Sequence, residues 1–298
     1  MACLEVQGLR TRRVKNVINQ KYMQNLIRQC LEEDGGLHGD VTTNSIIPTG
    51  LQGRFALNVR GQGVIAGLKP IAEAIDVFDD VQITMLHQDG ESVKNENIAL
   101  LEGSVRSILI AERTVLNIIG YASGIASRTR LFVDAVAGTN CKICDTRKTT
   151  PGLRALDKYA VVCGGGTSHR MGLHDAVLFK DNHLAGLKDF STELNEAIAK
   201  VRSMNELQFV EVEVDTIEQL KQVLLLPIDI VLLDNMPPDL LLQAVKLRDG
   251  SKRSPLLEAS GGVTLDSVHS IAETGVDRIS IGGIVHQATW LNVGLDVL

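Results

Sequence analysis

From residue 142 onward, short apolar runs that end in a polar residue alternate with stretches of helical periodicity. The runs 142–145, 176–180, 210–214, 230–234, 256–259 and 278–281 predict strands, and 191–203, 216–225, 238–247 and 264–274 predict the helices between them. The later strand ends, at Lys180, Glu213, Asp234, Ser260 and Gly282, follow one another at intervals of about 20 to 33 residues. That is the pitch of βα units in a parallel sheet or barrel. Fewer than eight units are visible, so the pattern stops short of a complete eightfold barrel. In such folds chemistry sits at the carboxyl ends of the strands, a rule that selects residues before any reaction is known.

The first part of the chain is less regular. Residues 16–33 predict a helix carrying Val17, Ile18, Tyr22, Leu26 and Ile27, stopped by Gly35-Gly36. Residues 53–60, 63–67, 81–86 and 102–107 read as β-like runs, with a helix expected at 71–78. A long, mostly apolar helix is expected from 108 to about 136, interrupted by Arg113, Arg128 and Arg130. No uninterrupted apolar run approaches the ~18 residues of a membrane span, and the basic N-terminus has no apolar segment behind it. The expectation is therefore no membrane.

Composition narrows the classes. The 298 residues are 44% hydrophobic, enough for a packed core, but only 3% aromatic, with a formal net charge of −6. An acidic, aromatic-poor chain lacks the basic stripe or stacking platform of a nucleic-acid binder. It can still take an anionic small molecule, which needs only local positive charge. Five scattered cysteines favour reduced thiols and a cytoplasmic home. Cys141 and Cys144 form a CxxC, but on a strand residues three apart point to opposite faces, so they read as small buried residues.

Three strand-end clusters are basic. Asp145-Thr146-Arg147-Lys148 opens a polar loop in which Arg147 offers a planar fork for carboxylate or phosphate and Lys148 a compact charge. Gly164-Gly165-Gly166 allows close backbone approach to a ligand and leads to His169 and Arg170, without P-loop or GxGxxG spacing. Lys180 ends an apolar strand, where it needs an anionic partner or serves as a Schiff-base lysine.

Two clusters are acidic or neutral. In 210–214 the valines face one way and Glu211 and Glu213 the other, with Glu213 nearer the carboxyl end and Glu211 a candidate support. Asp234 ends the next strand. Such acids call for cations, supplied by the basic clusters or by Mg²⁺. Ser260-Gly261-Gly262 and Gly282-Gly283 follow late strands, as a phosphate cradle would. Together these features suit a polyanion with a monophosphate end, and acids that face Mg²⁺ or a transiently cationic sugar carbon.

The stretches AERTVLN (111–117), TRKTTPGLR (146–154), KYAVVCGGGTSHRMGLHDAVLFKDNH (158–183), VEVEV, LLDN and EASGG resemble the quinolinate phosphoribosyltransferase family, also called nicotinate-nucleotide pyrophosphorylase (carboxylating). HGDVTT (38–43) adds weaker similarity; His174 stands at a variable position, and SIGGIVHQA near the end is looser than the family pattern. The resemblance implies an α/β fold, an N-terminal open-faced α/β sandwich (1–127) joined to an incomplete (β/α) barrel (128–298) whose last residues return to the first domain. It implies a cytoplasmic, Mg²⁺-dependent transfer of phosphoribosyl from phosphoribosyl pyrophosphate to quinolinate, yielding nicotinate mononucleotide, pyrophosphate and CO₂ for NAD biosynthesis. A same-fold paralogue of the molybdenum-transport-associated type, with another acceptor, is the alternative. By motif, Arg113, Thr146, Arg147, His169, Arg170 and Lys180 would hold quinolinate, with Arg113 reaching into a partner's site. Lys148, Glu213, Asp234, Ser260, Gly261, Gly262, Gly282 and Gly283 would hold phosphoribosyl pyrophosphate. Lys148, Lys180, Glu213 and Asp234 would be catalytic, and Glu213 and Asp234 would bind Mg²⁺ directly or through water. The expected assembly is a homodimer with shared active sites, or a hexamer of such dimers.

Overall fold

The computed structural model describes residues 18–204 and 207–298. Val17, the basic N-terminal stretch and Cys3 lie outside the described residues. In chain order, α1 (Gln20–Gly35), α2 (Val41–Ile46), β1 (Gln52–Val59), β2 (Gln62–Val64) and α3 (Leu68–Glu73) come first. Next, β3 (Val81–Met85), β4 (Ser92–Lys94) and β5 (Asn97–Ser104) lead into α4 (Val105–Ala135). The βα alternation follows with β6 (Lys142–Cys144), α5 (Arg154–Cys163), β7 (Val177–Phe179), α6 (Asp181–Leu184) and α7 (Phe190–Arg202). It continues through β8 (Val210–Val214), α8 (Ile217–Val223), β9 (Ile230–Asp234) and α9 (Pro238–Asp249). The chain ends with β10 (Leu256–Ser260), α10 (Leu265–Glu273), β11 (Arg278–Ser280), α11 (Gly283–His286) and β12 (Val293–Val297).

Contacts group these elements into two compact units. Of the described residues, one takes 18–130, 149–166 and 283–298; the other takes 131–148 and 167–282.

In the first unit an antiparallel sheet has the order β12-β1-β5-β3. The C-terminal β12 pairs with β1, Phe55 opposite Val297 and Val59 opposite Val293. Arg60 anchors it through Asp296 at 2.8 Å. Helix α1 is started by Asn19, whose side chain accepts from Tyr22 N–H at 2.8 Å, and it buries Met23 and Ile27. Among the described residues α4 is the one helix long and apolar enough to cross a membrane, yet 67% of its most apolar window is buried inside the protein. Its apolar residues serve as core, with Ile108, Ile119, Ala122 and Ile125 essentially inaccessible. Gly124 is required there, because a Cβ would fall 2.3 Å from the Thr289 carbonyl oxygen.

The second unit is a parallel sheet in the order β6-β11-β10-β9-β8-β7. The strand earliest in the chain lies beside the latest, and the rest follow in sequence, which is the incomplete-barrel topology expected. Helices α7, α8 and α10 are each capped by an N-terminal side chain, from Asp189, Thr216 and Thr264. Strands β8 and β9 are buried nearly throughout.

Several boundaries differ from the sequence reading. The run expected at 102–107 is the end of β5, and α4 already begins at Val105. The strand runs on to Ser104 because residues 99–103 pair with both β1 and β3. The helix expected at 71–78 is α3 followed by a 3₁₀ turn over Ile75–Val77. Strand β12 and helix α5 were not assigned from the sequence. Cys141 and Cys144 are buried free thiols, their pKa values raised to about 12 chiefly by burial.

Candidate active site

Parallel register puts the polar residues of the second unit on one face of its sheet, and their partners and access to solvent, rather than register, divide them into an upper, open tier and a lower, closed one. Glu213 and Glu258 are both level with Leu232, and Glu258 is level with Arg278. Two residues further toward the carboxyl ends, Asp234, Ser260 and Ser280 are level with one another on the same side. Glu211 lies one step below Glu213 on β8.

In the upper tier Lys180, just after β7, sets its Nζ 2.5 Å from a Glu213 carboxylate oxygen. The lysine is 45% exposed while Glu213 is 7% exposed, so the pair faces outward from the acid. The strand-end lysine thus has the anionic partner its position demands. Asp234 accepts from Asn235 Nδ2 at 2.7 Å. Asn235 itself adopts φ 52°, and its backbone N–H donates to the Ser260 carbonyl at 2.8 Å. Gly261 follows at φ 98°, and a Cβ there would lie 2.0 Å from Asn235 Oδ1. The turn after β10 and the turn after β9 therefore interlock. Gly262 is also left-handed, at φ 61°, with open space around it. Gly282 follows β11, and Gly283 opens α11 in the first unit, its carbonyl accepting from Arg128 at 2.8 Å.

The basic loop follows β6. Thr146 Oγ1 accepts from Lys148 N–H at 3.0 Å, and Arg147 and Lys148 are exposed. Arg170 is buried at 6% exposure and donates from Nη1 to the Ala176 carbonyl at 3.2 Å. Its pKa is lowered by burial and then by the neighbouring Arg147. Two guanidiniums held this close favour an anion as ligand. Arg113 lies on α4 in the first unit with an exposed side chain, its nearest ion-pair partner Glu112 at 3.9 Å.

The lower tier is closed to solvent. His169, 8% exposed, places Nε2 3.1 Å from Glu211 and 3.3 Å from Glu258, both fully buried. Neither contact is aligned as a full hydrogen bond, as expected of one N–H shared between two acceptors. Arg278 sits 2.7 Å from the other Glu258 oxygen. Burial raises Glu258 but Arg278 and His169 outweigh it and bring its carboxyl down to about 2. Glu211 is raised by burial and by repulsion from Glu258. For His169, the lowering by burial is outweighed by Glu258 and Glu211, to about 9. Its Nδ1, however, accepts the Arg170 backbone N–H at 2.8 Å. A second ring proton would collide with that N–H, so the local geometry favours the proton on Nε2 alone.

Glu258 and Arg278 were not singled out from the sequence. Their signal was there: an acid in the apolar run Leu256-Leu257-Glu258-Ala259, and an arginine opening β11.

Cations, an ion-paired acid and glycine turns at the carboxyl ends of a parallel sheet define an α/β enzyme site for an anionic substrate. Comparison with known proteins makes this specific. Residues 40–123 match the N-terminal domain and 125–296 the C-terminal domain of the family described as quinolinate phosphoribosyl transferase. A nicotinate-nucleotide pyrophosphorylase [carboxylating] of Mycobacterium leprae is 40% identical over 91% of this chain and 95% of its own length. A probable nicotinate-nucleotide pyrophosphorylase [carboxylating] of Bacillus subtilis is 39% identical over 94% of this chain and 95% of its own. The solved nicotinate-nucleotide pyrophosphorylase of Ehrlichia chaffeensis superposes with a TM-score of 0.83 at 41% identity, covering 92% of this chain and 98% of that one. The chain belongs to the quinolinate phosphoribosyl transferase family.

Proposed function

We propose that this chain transfers the phosphoribosyl group of phosphoribosyl pyrophosphate to quinolinate, with loss of CO₂, giving nicotinate mononucleotide and pyrophosphate in de novo NAD biosynthesis. The observation that carries the reading is the upper tier: Lys180–Glu213, Asp234 and the Ser260–Gly262 turn meet at the carboxyl ends of one sheet. The curated relatives support this acceptor over that of a same-fold paralogue, since their names are those of the quinolinate enzyme.

In this reading Arg147, Arg170 and Thr146 bind the quinolinate carboxylates, with Arg113 contributed by a partner chain of a homodimer or of a hexamer of dimers. Lys148 and Lys180 bridge the acid and the pyrophosphate. Ser260, Gly261, Gly262, Gly282 and Gly283 seat the 5′-phosphate, and Glu213 and Asp234 hold the ribose hydroxyls. The free thiols Cys30, Cys141, Cys144 and Cys163 suit a cytoplasmic location.

Glu213 and Asp234 also fit Mg²⁺. Lys180 takes one Glu213 oxygen and Asn235 one Asp234 oxygen, leaving each carboxylate one hard oxygen donor. Bound there, Mg²⁺ would supply positive charge to the departing pyrophosphate.

The chemistry needs mainly positioning and electrostatics. The C–O bond to pyrophosphate breaks with its electron pair leaving on pyrophosphate, while Lys148 and Lys180 stabilise that charge. Glu213 and Asp234 stabilise the oxocarbenium carbon, and the pyridine nitrogen bonds to it from the opposite face. The quaternised ring then accepts the electron pair released as the adjacent carboxylate leaves as CO₂, and a proton takes its place. Purified protein incubated with quinolinate, phosphoribosyl pyrophosphate and Mg²⁺ is expected to form nicotinate mononucleotide and CO₂. Folded protein that forms neither rejects the proposal.

A further inference from the structure

The strand that delivers Lys180 has the least support of those that carry the upper tier. Strand β7 is three residues long, half-buried, and lies at the edge of the sheet beside β8. Its pairing stops at Phe179, level with Val212 of β8 and one residue short of Lys180. Glu213, Asp234 and Ser260, by contrast, lie on strands with a neighbour on each side. Lys180 leaves the strand in an extended conformation, φ −109° and ψ 167°, and caps α6. Its backbone is held from within that helix. Nδ1 of His183 accepts the Lys180 N–H at 2.9 Å. The Lys180 carbonyl accepts the His183 N–H at 2.8 Å and the Leu184 N–H at 3.0 Å. The histidine thus grips both the N–H and the carbonyl of the residue whose Nζ meets Glu213.

We propose that His183 is a positioning residue that fixes the backbone of Lys180 and so aims its Nζ at the departing pyrophosphate. The inference rests on the phosphoribosyl-transfer reading above, in which Lys180 stabilises that charge. Lysine carries its charge on a flexible four-carbon stem, so a loose backbone would let Nζ wander further still. Glu213 holds the Nζ end and His183 the backbone end. The bond is the returning half of a capping box, in which the third helical residue reaches back to the cap N–H. Glutamate and glutamine are the usual residues there. A glutamate would set a negative charge beside the lysine and repel the anion it is to meet. The imidazole nitrogen supplies the acceptor without that charge. Helix α6 is a single turn that buries no residue, so the contact adds little to the core and its effect falls on Lys180.

His183→Ala is expected to lower kcat about 100-fold, the cost of a misplacement of about 1 Å, with Tm nearly unchanged. The KM values for quinolinate and phosphoribosyl pyrophosphate should move only a fewfold, since the charge Lys180 answers develops as the pyrophosphate departs. His183→Gln offers an amide oxygen at the same place and is expected to recover kcat to within about tenfold of wild type. The bond is also read directly with ¹⁵N-lysine labelling. The Lys180 amide proton should exchange slowly in wild type and in His183→Gln, and fast in His183→Ala. A folded His183→Ala with unchanged kcat overturns the proposal. So does a His183→Gln that protects the Lys180 amide yet is as slow in turnover as His183→Ala. An unprotected Lys180 amide in the wild-type protein overturns it too. Failure of the transfer reading would show differently, as wild-type protein without turnover whose Lys180 amide is still protected.

Discussion

Replacing Gly261 by Ala tests whether the interlocked turns above β9 and β10 serve both folding and substrate. The backbone at φ 98° lies where an L-residue is strained, at a cost of about 1–3 kcal/mol. The new Cβ would also stand 2.0 Å from Asn235 Oδ1 and 2.5 Å from its Cγ, so the Asn235 side chain must swing away. That swing breaks its 2.7 Å bond to Asp234, adding about 0.5–1.5 kcal/mol. The total, about 2–4 kcal/mol, corresponds to a fall in Tm of roughly 4 to 16 °C. Gly262→Ala is the internal control, since φ 61° with nothing within 4 Å costs only about 1–2 kcal/mol. Calorimetry on both variants, with steady-state KM values for each substrate, separates the two roles. The Gly261 variant should lose stability beyond the Gly262 variant and raise the KM for phosphoribosyl pyrophosphate more than that for quinolinate. Equal Tm values for the two variants would refute the steric argument. A destabilised Gly261 variant with unchanged phosphoribosyl pyrophosphate KM would refute the turn's role in holding phosphate.

Other substitutions probe the remaining assignments. Arg170→Lys exchanges a bidentate fork for a point charge and should weaken quinolinate binding at least 10-fold, an order of magnitude typical of a lost charged hydrogen bond, with Tm nearly unchanged; unaltered quinolinate affinity rejects Arg170 as its ligand. Mixing inactive Arg113→Ala and Glu213→Ala proteins should restore part of the activity through hybrid dimers, and no recovery after subunit exchange rejects Arg113 acting in a partner's site. Glu258, lowered from 4.5 to about 2, contributes stability that is present above pH 4.5 and lost as pH falls toward 2. That contribution is about 3 kcal/mol, so urea denaturation across this window should show a shallower pH dependence for Glu258→Gln than for wild type, and identical slopes reject the buried pair.

The residues that a local pattern could reveal were those on the short central strands. Val210-Glu211-Val212-Glu213-Val214 announces its faces by alternation and Asp234 is marked as the acid that ends an apolar run, and the structure keeps these acids on one side. The polarity of β10 is equally local, yet Glu258 stayed hidden because its partner Arg278 comes from a different strand and nothing in the chain marks the pairing. Strand β12 was out of reach for the same reason. It is largely open to solvent, and among the described residues its one strand partner is β1, more than 200 residues earlier. The junction of β5 with α4 was blurred by composition: Leu100-Leu101 and Ile108-Leu109-Ile110 are alike apolar, and only pairing with β1 and β3 decides where the strand ends. His169 was legible as important but not in its orientation, which depends on contacts with β6, β8 and β10.

The net charge of −6 says little about the substrate, and the two tiers explain why. Below, Glu211 and Glu258 are answered by Arg278 and His169 inside the protein, so those charges make no demand on a ligand. Above, Glu213 is answered by Lys180 and Asp234 by the neutral Asn235, while Arg147, Lys148 and Arg170 add positive charge at the carboxyl ends of the same sheet. Burial and the neighbouring Arg147 both disfavour the charge on Arg170, a cost that an anionic ligand beside it would offset. The positive potential is therefore concentrated at the open end of the sheet even though the chain is acidic as a whole. A diacid and a pyrophosphate ester can approach that end together because the acids that would repel them are either buried beneath or already paired.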